Sequence, residues 1–160
     1  MRIVVMSDSH GIYCVLDKIV SAHPEADLYI HLGDGQKECD LLRQLYPDKN
    51  FCFIRGNCDT SSELPLSQVI KVNNDHTIFA AHGHTYNVKY GLSAIRKEAK
   101  CAGADIILFG HSHFRYCGYE DETWIMNPGS CMIPRDGNKP SYGIVDVTDS
   151  GVMTNIVSIS

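Results

Sequence analysis

The chain lacks any apolar run approaching the ~20 residues that a membrane-spanning helix requires. It also lacks an excess of positive charge. Against 14 Lys and Arg stand 19 Asp and Glu, a formal net charge of −5. This argues against a non-specific binder of nucleic acid or of a membrane surface. A small anionic substrate is not excluded, because a bound dication can reverse the local field. No Cys-x-x-Cys occurs, and the seven cysteines are odd in number and widely spaced. That pattern is neither a disulfide framework nor a structural zinc ribbon. No charged-then-apolar leader precedes the strand-like residues that begin at Arg2, so reduced thiols and a cytoplasmic location are expected. Low-complexity stretches, internal repeats and blocks of like charge are absent as well.

What is present suits one globular domain over residues 1–160, with 44% hydrophobic and 21% charged residues. A chain of this length buries a core without staples. Ile3-Val4-Val5-Met6 is a short continuous apolar run, as expected of a strand buried on both faces. Ile12, Val15, Leu16 and Ile19 recur at helical spacing and predict a helix over 12–22, ended at His23-Pro24. A strand over 27–32, a helix over about 36–45 and a strand over 51–54 follow. The βαβαβ order implies a parallel sheet with right-handed crossovers. Strands over 68–72 and 76–81 flank a hairpin turn at Asn73-Asn74-Asp75. A third helix through Leu92, Ile95, Ala99 and Ala102 closes at Gly103 in a C′ position, ahead of a strand over 105–109. Two further hairpins pair 115–119 with 123–126 and 141–147 with 152–159. The expected fold is of the α/β class: two mixed β-sheets face to face with helices outside, a four-layer αββα sandwich.

The chain is organised around Ser7-Asp8-Ser9-His10-Gly11, where the first strand turns abruptly polar. In extended backbone Asp8 and His10 would point the same way, just past the carboxyl end of a strand. Other strands end alike, in Asp34, in Asn57, in His82, and in His111 with His113. Seven oxygen and nitrogen donors from five strand ends suit one dinuclear centre of divalent cations. Two dications ~3.5–4 Å apart need a bridging carboxylate, and Asp34, between the two groups, is the candidate. Imidazoles and an amide complete the set without adding so much negative charge that an anionic substrate is repelled. A water or hydroxide between the metals would be a nucleophile at neutral pH.

Asp8-x-His10, Gly33-Asp34, Gly56-Asn57-Cys58-Asp59, His82-Gly83-His84, Gly110-His111-Ser112-His113 and Asn127-Pro128-Gly129-Ser130, in this order, resemble the calcineurin-like metallophosphoesterases. The likeness covers nearly the whole chain and is strongest to the small single-domain phosphodiesterases of bacteria and archaea, the YfcE-type branch. It implies the four-layer sandwich and two divalent metal ions, manganese first, with nickel, iron or zinc as substitutes. It also implies that Asp8, His10, Asp34 and His113 hold one ion, and Asp34, Asn57, His82 and His111 the other. Many members of the superfamily carry a histidine directly after the metal-binding asparagine, as general acid to the leaving group. Here that position is Cys58, a poorer proton donor, which suggests either activated or aryl phosphodiesters as substrates or a proton delivered through water. Asp59 is a candidate to polarise Cys58, and His84 a candidate to contact substrate.

Other polar residues carry plainer expectations. His31 reads as a packed core histidine, His23 and His76 as solvated. Arg55 reads as a surface ion pair, with contact to a phosphate as the alternative. Asn127–Ser130 reads as a tight turn that could line the site. Trp124 and the Tyr116–Tyr119 hairpin read as packing residues, and Cys14 and Cys101 as small buried groups in helices. The leading function is a metal-dependent phosphodiesterase or phosphatase acting on a small phosphate ester. The alternative is a non-enzymatic scaffold, the use made of this fold by the related retromer subunit, which has lost site residues that this chain keeps. A nuclease is disfavoured by the acidic balance and the absence of a basic stripe. A homo-oligomer through the C-terminal hairpins is open.

Overall fold

A computed structural model describes residues 1–60, 63–73 and 75–160. The strands are β1 (Arg2–Met6), β2 (Leu28–His31), β3 (Phe51–Phe53), β4 (Ser67–Lys71), β5 (Thr77–Ala81), β6 (Ile106–Phe109), β7 (Tyr116–Glu120), β8 (Thr123–Asn127), β9 (Ser141–Thr148) and β10 (Gly151–Ser158). The α-helices are α1 (Tyr13–Ala22), α2 (Gln36–Leu45) and α3 (Ser93–Cys101). The strands form two mixed five-stranded sheets, ordered β10-β9-β1-β2-β3 and β4-β5-β6-β8-β7. In the first, β1, β2 and β3 run parallel; in the second, β5, β6 and β8 do.

The alternation along each central strand builds the layers. Ile3 and Val5 of β1 join Ile30, Ile78, Ala80, Ile106, Leu108 and Met126 in a core between the sheets. Val4 and Met6 face the other way, against Leu16, Ile19, Cys39 and Leu42 of α1 and α2. On the far side Phe79, Ala81, Ile107 and Phe109 pack against Ile95 and Ala99 of α3. A strand covered on both faces reads as an unbroken apolar run rather than an alternation, as Ile3–Met6 and Ile106–Phe109 do. The architecture is the expected four-layer sandwich.

Helix α3 ends on Gly103 at φ +69°. Gly103 donates its N–H to the Lys100 carbonyl, and Ala104 donates to Ala99, the paired bonds of a Schellman cap. The hairpin turn expected at 73–75 includes Asn74, which lies outside the described residues. Cys14 and Cys101, expected to be buried, are exposed, because each falls on the solvent side of its helix. His23 and His76 are not solvated. The His23 Nε2 lies 2.8 Å from the Tyr142 hydroxyl, and the His76 ring stands edge-on to Trp124 with its Nδ1 on Asp105. No helix among the described residues is long and apolar enough to cross a membrane.

Parallel order brings the carboxyl ends of six strands to one rim. Loops 7–11, 33–35 and 56–59 leave β1, β2 and β3. Loops 82–84, 110–113 and 128–131 leave β5, β6 and β8.

Candidate metal centre

The candidate ligands meet at that rim, though not by the backbone geometry expected of them. Asp8, His10, Asp34, His111 and His113 all sit at positive φ, between 45° and 64°. The chain therefore leaves each strand in left-handed turns, and Asp8 and His10 converge without extended backbone between them. Non-glycine residues held there cost of order 1 kcal/mol or more each and cluster at functional sites. Close approach is bought with glycine. A Cβ on Gly56 would lie 2.1 Å from Asp34 Oδ1 and 2.3 Å from the Asp34 nitrogen.

Both carboxylates are arranged alike. Asp8 Oδ2 accepts from the Ser7 hydroxyl at 2.5 Å and the His111 N–H at 3.1 Å. Its Oδ1 is buried and accepts no hydrogen bond. Asp34 Oδ1 accepts the Cys58 N–H at 2.7 Å, while Oδ2 stands 3.4 Å from His82 Nε2. One oxygen of each is anchored and the other is turned inward.

The imidazoles are oriented from behind. His82 Nδ1 lies 2.8 Å from the Leu32 carbonyl, and His113 Nδ1 lies 2.6 Å from the Ile133 carbonyl. A carbonyl only accepts, so each Nδ1 carries a proton and each Nε2 presents a lone pair to the site in the neutral ring. His113 Nε2 then faces Asp8 Oδ1 at 3.1 Å and His10 Nε2 at 3.3 Å. His82 Nε2 faces Asn57 Oδ1 at 3.0 Å. Such a convergence needs positive charge, either a metal ion held by the neutral rings or a proton on Nε2, which the facing Asp34 and Asp8 carboxylates favour in His82 and His113 against their burial. Asp8, His10 and His113 present atoms within 4.8 Å of one another, as do Asp8, Asp34 and His82, and also His10, Asp34 and Cys58. Asp34 and Asp8 both reach the His10 side and the His82 side. His111 joins none of these close groups; its ring stands edge-on to His82, centroids 5.0 Å apart.

At the centre carboxylates and imidazoles stabilise each other's charged forms. Burial works to raise the Asp8 carboxyl, but the facing imidazoles of His113 and His82 hold it below its usual value. Asp34 is depressed against its burial by the His82 imidazole and the Cys58 N–H. Burial, then the fields of His82 and Lys89, pushes His111 down to about 4. The Cys58 thiol is pushed up to about 11 by burial and by Asp34, so it stays protonated at neutral pH. His84 is lowered by burial and by His82, and its buried Nδ1 has no hydrogen-bond partner.

Asp59 acts on Cys58 through its charge, and its hydrogen bonds give it a further task. Its oxygens accept the N–H groups of Asp34, Gly35, Gln36 and Gly56 at 2.8–3.1 Å. It clamps the loop after β2 to the loop after β3, and reaches Cys58 only through its charge. Arg55 makes no ion pair among the described residues; its charge instead bears on His84.

Several supporting residues gave little sign in the sequence. His31 Nδ1 accepts the Gly33 N–H, so its Nε2–H donates to Ser9 Oγ at 3.0 Å, and Ser9 donates to Glu38 at 2.8 Å. Glu38 also accepts the Gly11 N–H. Asn127 does not line the site: it donates to the Gly110 carbonyl and Ser112 Oγ. Ser130 Oγ donates to the Asp8 carbonyl at 2.8 Å. A small polar residue after a strand signals a turn, and only the folded chain shows which loop it braces.

A model of the calcineurin-like phosphoesterase superfamily domain matches residues 1–150. The chain belongs to this superfamily. Phosphodiesterase YfcE of Escherichia coli K12 is 30% identical over 170 aligned residues, covering 91% of this chain and 88% of that protein. The crystal structure of a conserved protein from Streptococcus pneumoniae, described as a predicted phosphoesterase, superposes with a TM-score of 0.87 at 26% identity. It covers 98% of this chain and 88% of the other. Zinc-bound Vps29 of Entamoeba histolytica, at 20% identity and a TM-score of 0.74 over 98% of each chain, shares the fold. Membership in a calcineurin-like family of phosphoesterases makes this chain a phosphoester hydrolase by kinship and implies a divalent metal cofactor, for which the structure offers the ligand residues described above.

Proposed function

We propose that this chain is a phosphodiesterase of small phosphate esters, dependent on two divalent cations, and that residues 1–160 act as one domain. The observation that carries the reading is the convergence of ligand atoms at the rim: His113 Nε2 on Asp8 Oδ1 at 3.1 Å and His82 Nε2 on Asn57 Oδ1 at 3.0 Å. Asp8, His10, Asp34 and His113 would hold one ion; Asp34, Asn57, His82 and His111 would hold the other. Mixed oxygen and imidazole donors suit manganese, with nickel, iron or zinc as substitutes. Such a cation pair, when bound, supplies Lewis acidity to a phosphoryl oxygen and a nucleophilic water at neutral pH.

The chain's own residues do the rest. His84, with its free Nδ1, stands beside His82 and His111, ring centroids 5.3 and 6.1 Å away, and positions the phosphoryl group. The Cys58 thiol lines a cleft of about 300 Å³ together with His10, Asp34 and Gln36. In the reaction one P–O ester bond breaks as a water oxygen bonds to phosphorus. The leaving oxygen departs as the anion or takes a proton from solvent, since a thiol near 11 gives its proton up poorly. Leaving groups of low pKa are therefore favoured. The seven free cysteines suit a reducing cytoplasm.

Asp34→Asn tests the assignment. The variant should lose at least one equivalent of metal by elemental analysis, and about 10²-fold or more of its turnover of bis(4-nitrophenyl) phosphate with added Mn²⁺. Survival of both metal content and turnover would remove Asp34 from the centre.

A further inference from the structure

A second hollow, of about 430 Å³, shares no lining residue with the Cys58 cleft and is lined by Val88, Lys89, Ser112, Phe114 and Arg135. The first cleft is built from loops of the β1-β2-β3 sheet, this one from loops that follow β5 and β6 and from Arg135. Candidate ligands border both: His10 and Asp34 line the first, and Ser112 and Phe114 of the second flank His113. A phosphodiester has two arms, and the site has two clefts.

The lining of the hollow is chemically selective. In a chain of net charge −5, Lys89 and Arg135 come together with no ion pair among the described residues. Both are tied to the centre. Arg135 donates its backbone N–H to the His113 carbonyl at 3.1 Å, and the residue before Lys89 donates to the Gly83 carbonyl at 3.3 Å. Between them Phe114 is 53% exposed, an aromatic face left to solvent at the rim of a polar site. Ser112 Oγ accepts from the Phe114 N–H at 3.2 Å and from Asn127 Nδ2 at 2.9 Å. With its acceptor capacity used, the hydroxyl proton is free to donate into the hollow. Two unpaired cations, a hydroxyl donor and an aromatic face, in a volume within the usual range for small ligands, fit an aromatic ring that carries an anion.

We propose that this hollow holds the retained arm of a nucleotide-type phosphodiester, its base on Phe114 and a second phosphate between Lys89 and Arg135. The inference rests on the phosphodiesterase reading and names its substrate class: diesters with a further phosphate on the arm that stays.

Two probes differ by that group alone, thymidine 5′-(4-nitrophenyl phosphate) and its 3′-phosphorylated form. In each, the bond from phosphorus to the nitrophenyl oxygen breaks, water oxygen bonds to phosphorus, and 4-nitrophenolate is released. The 3′-phosphate should raise kcat/KM about tenfold through KM, as charge-assisted contacts to two cations would. In the Lys89→Ala/Arg135→Ala double variant the ratio of the two kcat/KM values should fall to about one. This ratio is internal to each protein and so is insensitive to partial misfolding. Calorimetry with Mn²⁺-loaded protein should also find thymidine 3′,5′-bisphosphate bound more tightly than thymidine 5′-phosphate. Equal cleavage of the two esters by the unaltered chain, or a ratio unchanged in the double variant, overturns the inference and leaves the phosphodiesterase standing. Cleavage of neither overturns the phosphodiesterase reading, and equal affinity for the two nucleotides then removes the phosphate pocket as well.

Discussion

At the scale of the residue, the centre depends on side chains that never touch a ligand. Asp59 is buried, and its two oxygens accept four backbone N–H groups, those of Asp34, Gly35, Gln36 and Gly56. Charge-assisted bonds of this kind are about twice as strong as neutral ones, and donors left unpaired in a buried place carry their full desolvation cost. Asp59→Ala should therefore lower unfolding stability by about 3 kcal/mol, read as a shift of the urea midpoint at unchanged m. Asp59→Asn should recover only part, because its amide turns two donors toward donors. It should also weaken metal binding, since the Asp34 nitrogen hangs on the same carboxylate. A loss below about 1 kcal/mol for the alanine variant would mean that water replaces the clamp. The Gly56-Asn57-Cys58-Asp59 motif thus divides its labour. Asn57 and Cys58 face the site, Gly56 leaves room for Asp34, and Asp59 holds two loops together.

At the scale of the element, what the sequence made legible was whatever depends on local pattern. Helix α2 runs Gln36–Leu45, the expected bounds, because Leu41, Leu42 and Leu45 mark a helix that follows a glycine-rich turn. Gly103 closes α3 because only the left-handed region completes that cap. Illegible were the backbone turns at the ligands: five of the seven take positive φ, which neither aspartate nor histidine announces, and which only bonds such as Asp8 N–H to Gly33 O at 3.0 Å enforce. The segment after β8 shows the same dependence on partners. Arg115 and Asp136 join the start of β7 to this segment, Nε to Oδ2 at 2.9 Å, with the Arg115 and Asn138 N–H groups on the same carboxylate. Against its burial, these bonds hold the Asp136 carboxyl down at about 2. A depressed carboxyl contributes stability above its unfolded pKa of ~3.9 and loses it as pH falls through the folded value. After allowance for solvent screening, Asp136→Asn should cost about 1 kcal/mol at pH 7, and the difference from the unaltered chain should vanish by about pH 2. Urea titrations at a series of pH values read this directly. A gap that stays constant from pH 7 to pH 2 would show that the carboxyl titrates normally.

At the scale of the molecule, the centre is where the two sheets are joined by chemistry rather than by packing. Asp8, His10, Asp34 and Asn57 come from loops of the β1-β2-β3 sheet, and His82, His111 and His113 from loops of the β5-β6 sheet. Between the sheets the core is apolar, and it ends at a rim where carboxylates face imidazoles. Without metal, protons on the imidazoles take the place of cations there, at His113 Nε2 to Asp8 Oδ1 3.1 Å apart and His82 Nε2 to Asp34 Oδ2 3.4 Å apart. The unfolded chain disperses these groups and cannot offer the same cage. A ligand that binds only the folded state adds about 2.7 kcal/mol at a hundredfold excess over its Kd. At roughly 2–4 °C per kcal/mol for a domain of this size, saturating Mn²⁺ should raise Tm by about 5–10 °C, and excess chelator should reverse the rise. The rise should shrink sharply in Asp34→Asn, whose amide replaces the carboxylate that faces both halves. In chelator the same variant should melt below the metal-free parent at neutral pH, because the His82 imidazole and the Cys58 N–H hold the Asp34 carboxyl below its usual value and its charge therefore stabilises the fold. The Mn²⁺-dependent rise and its loss in Asp34→Asn are the pair that decides, and a scaffold with no use for cations would show neither.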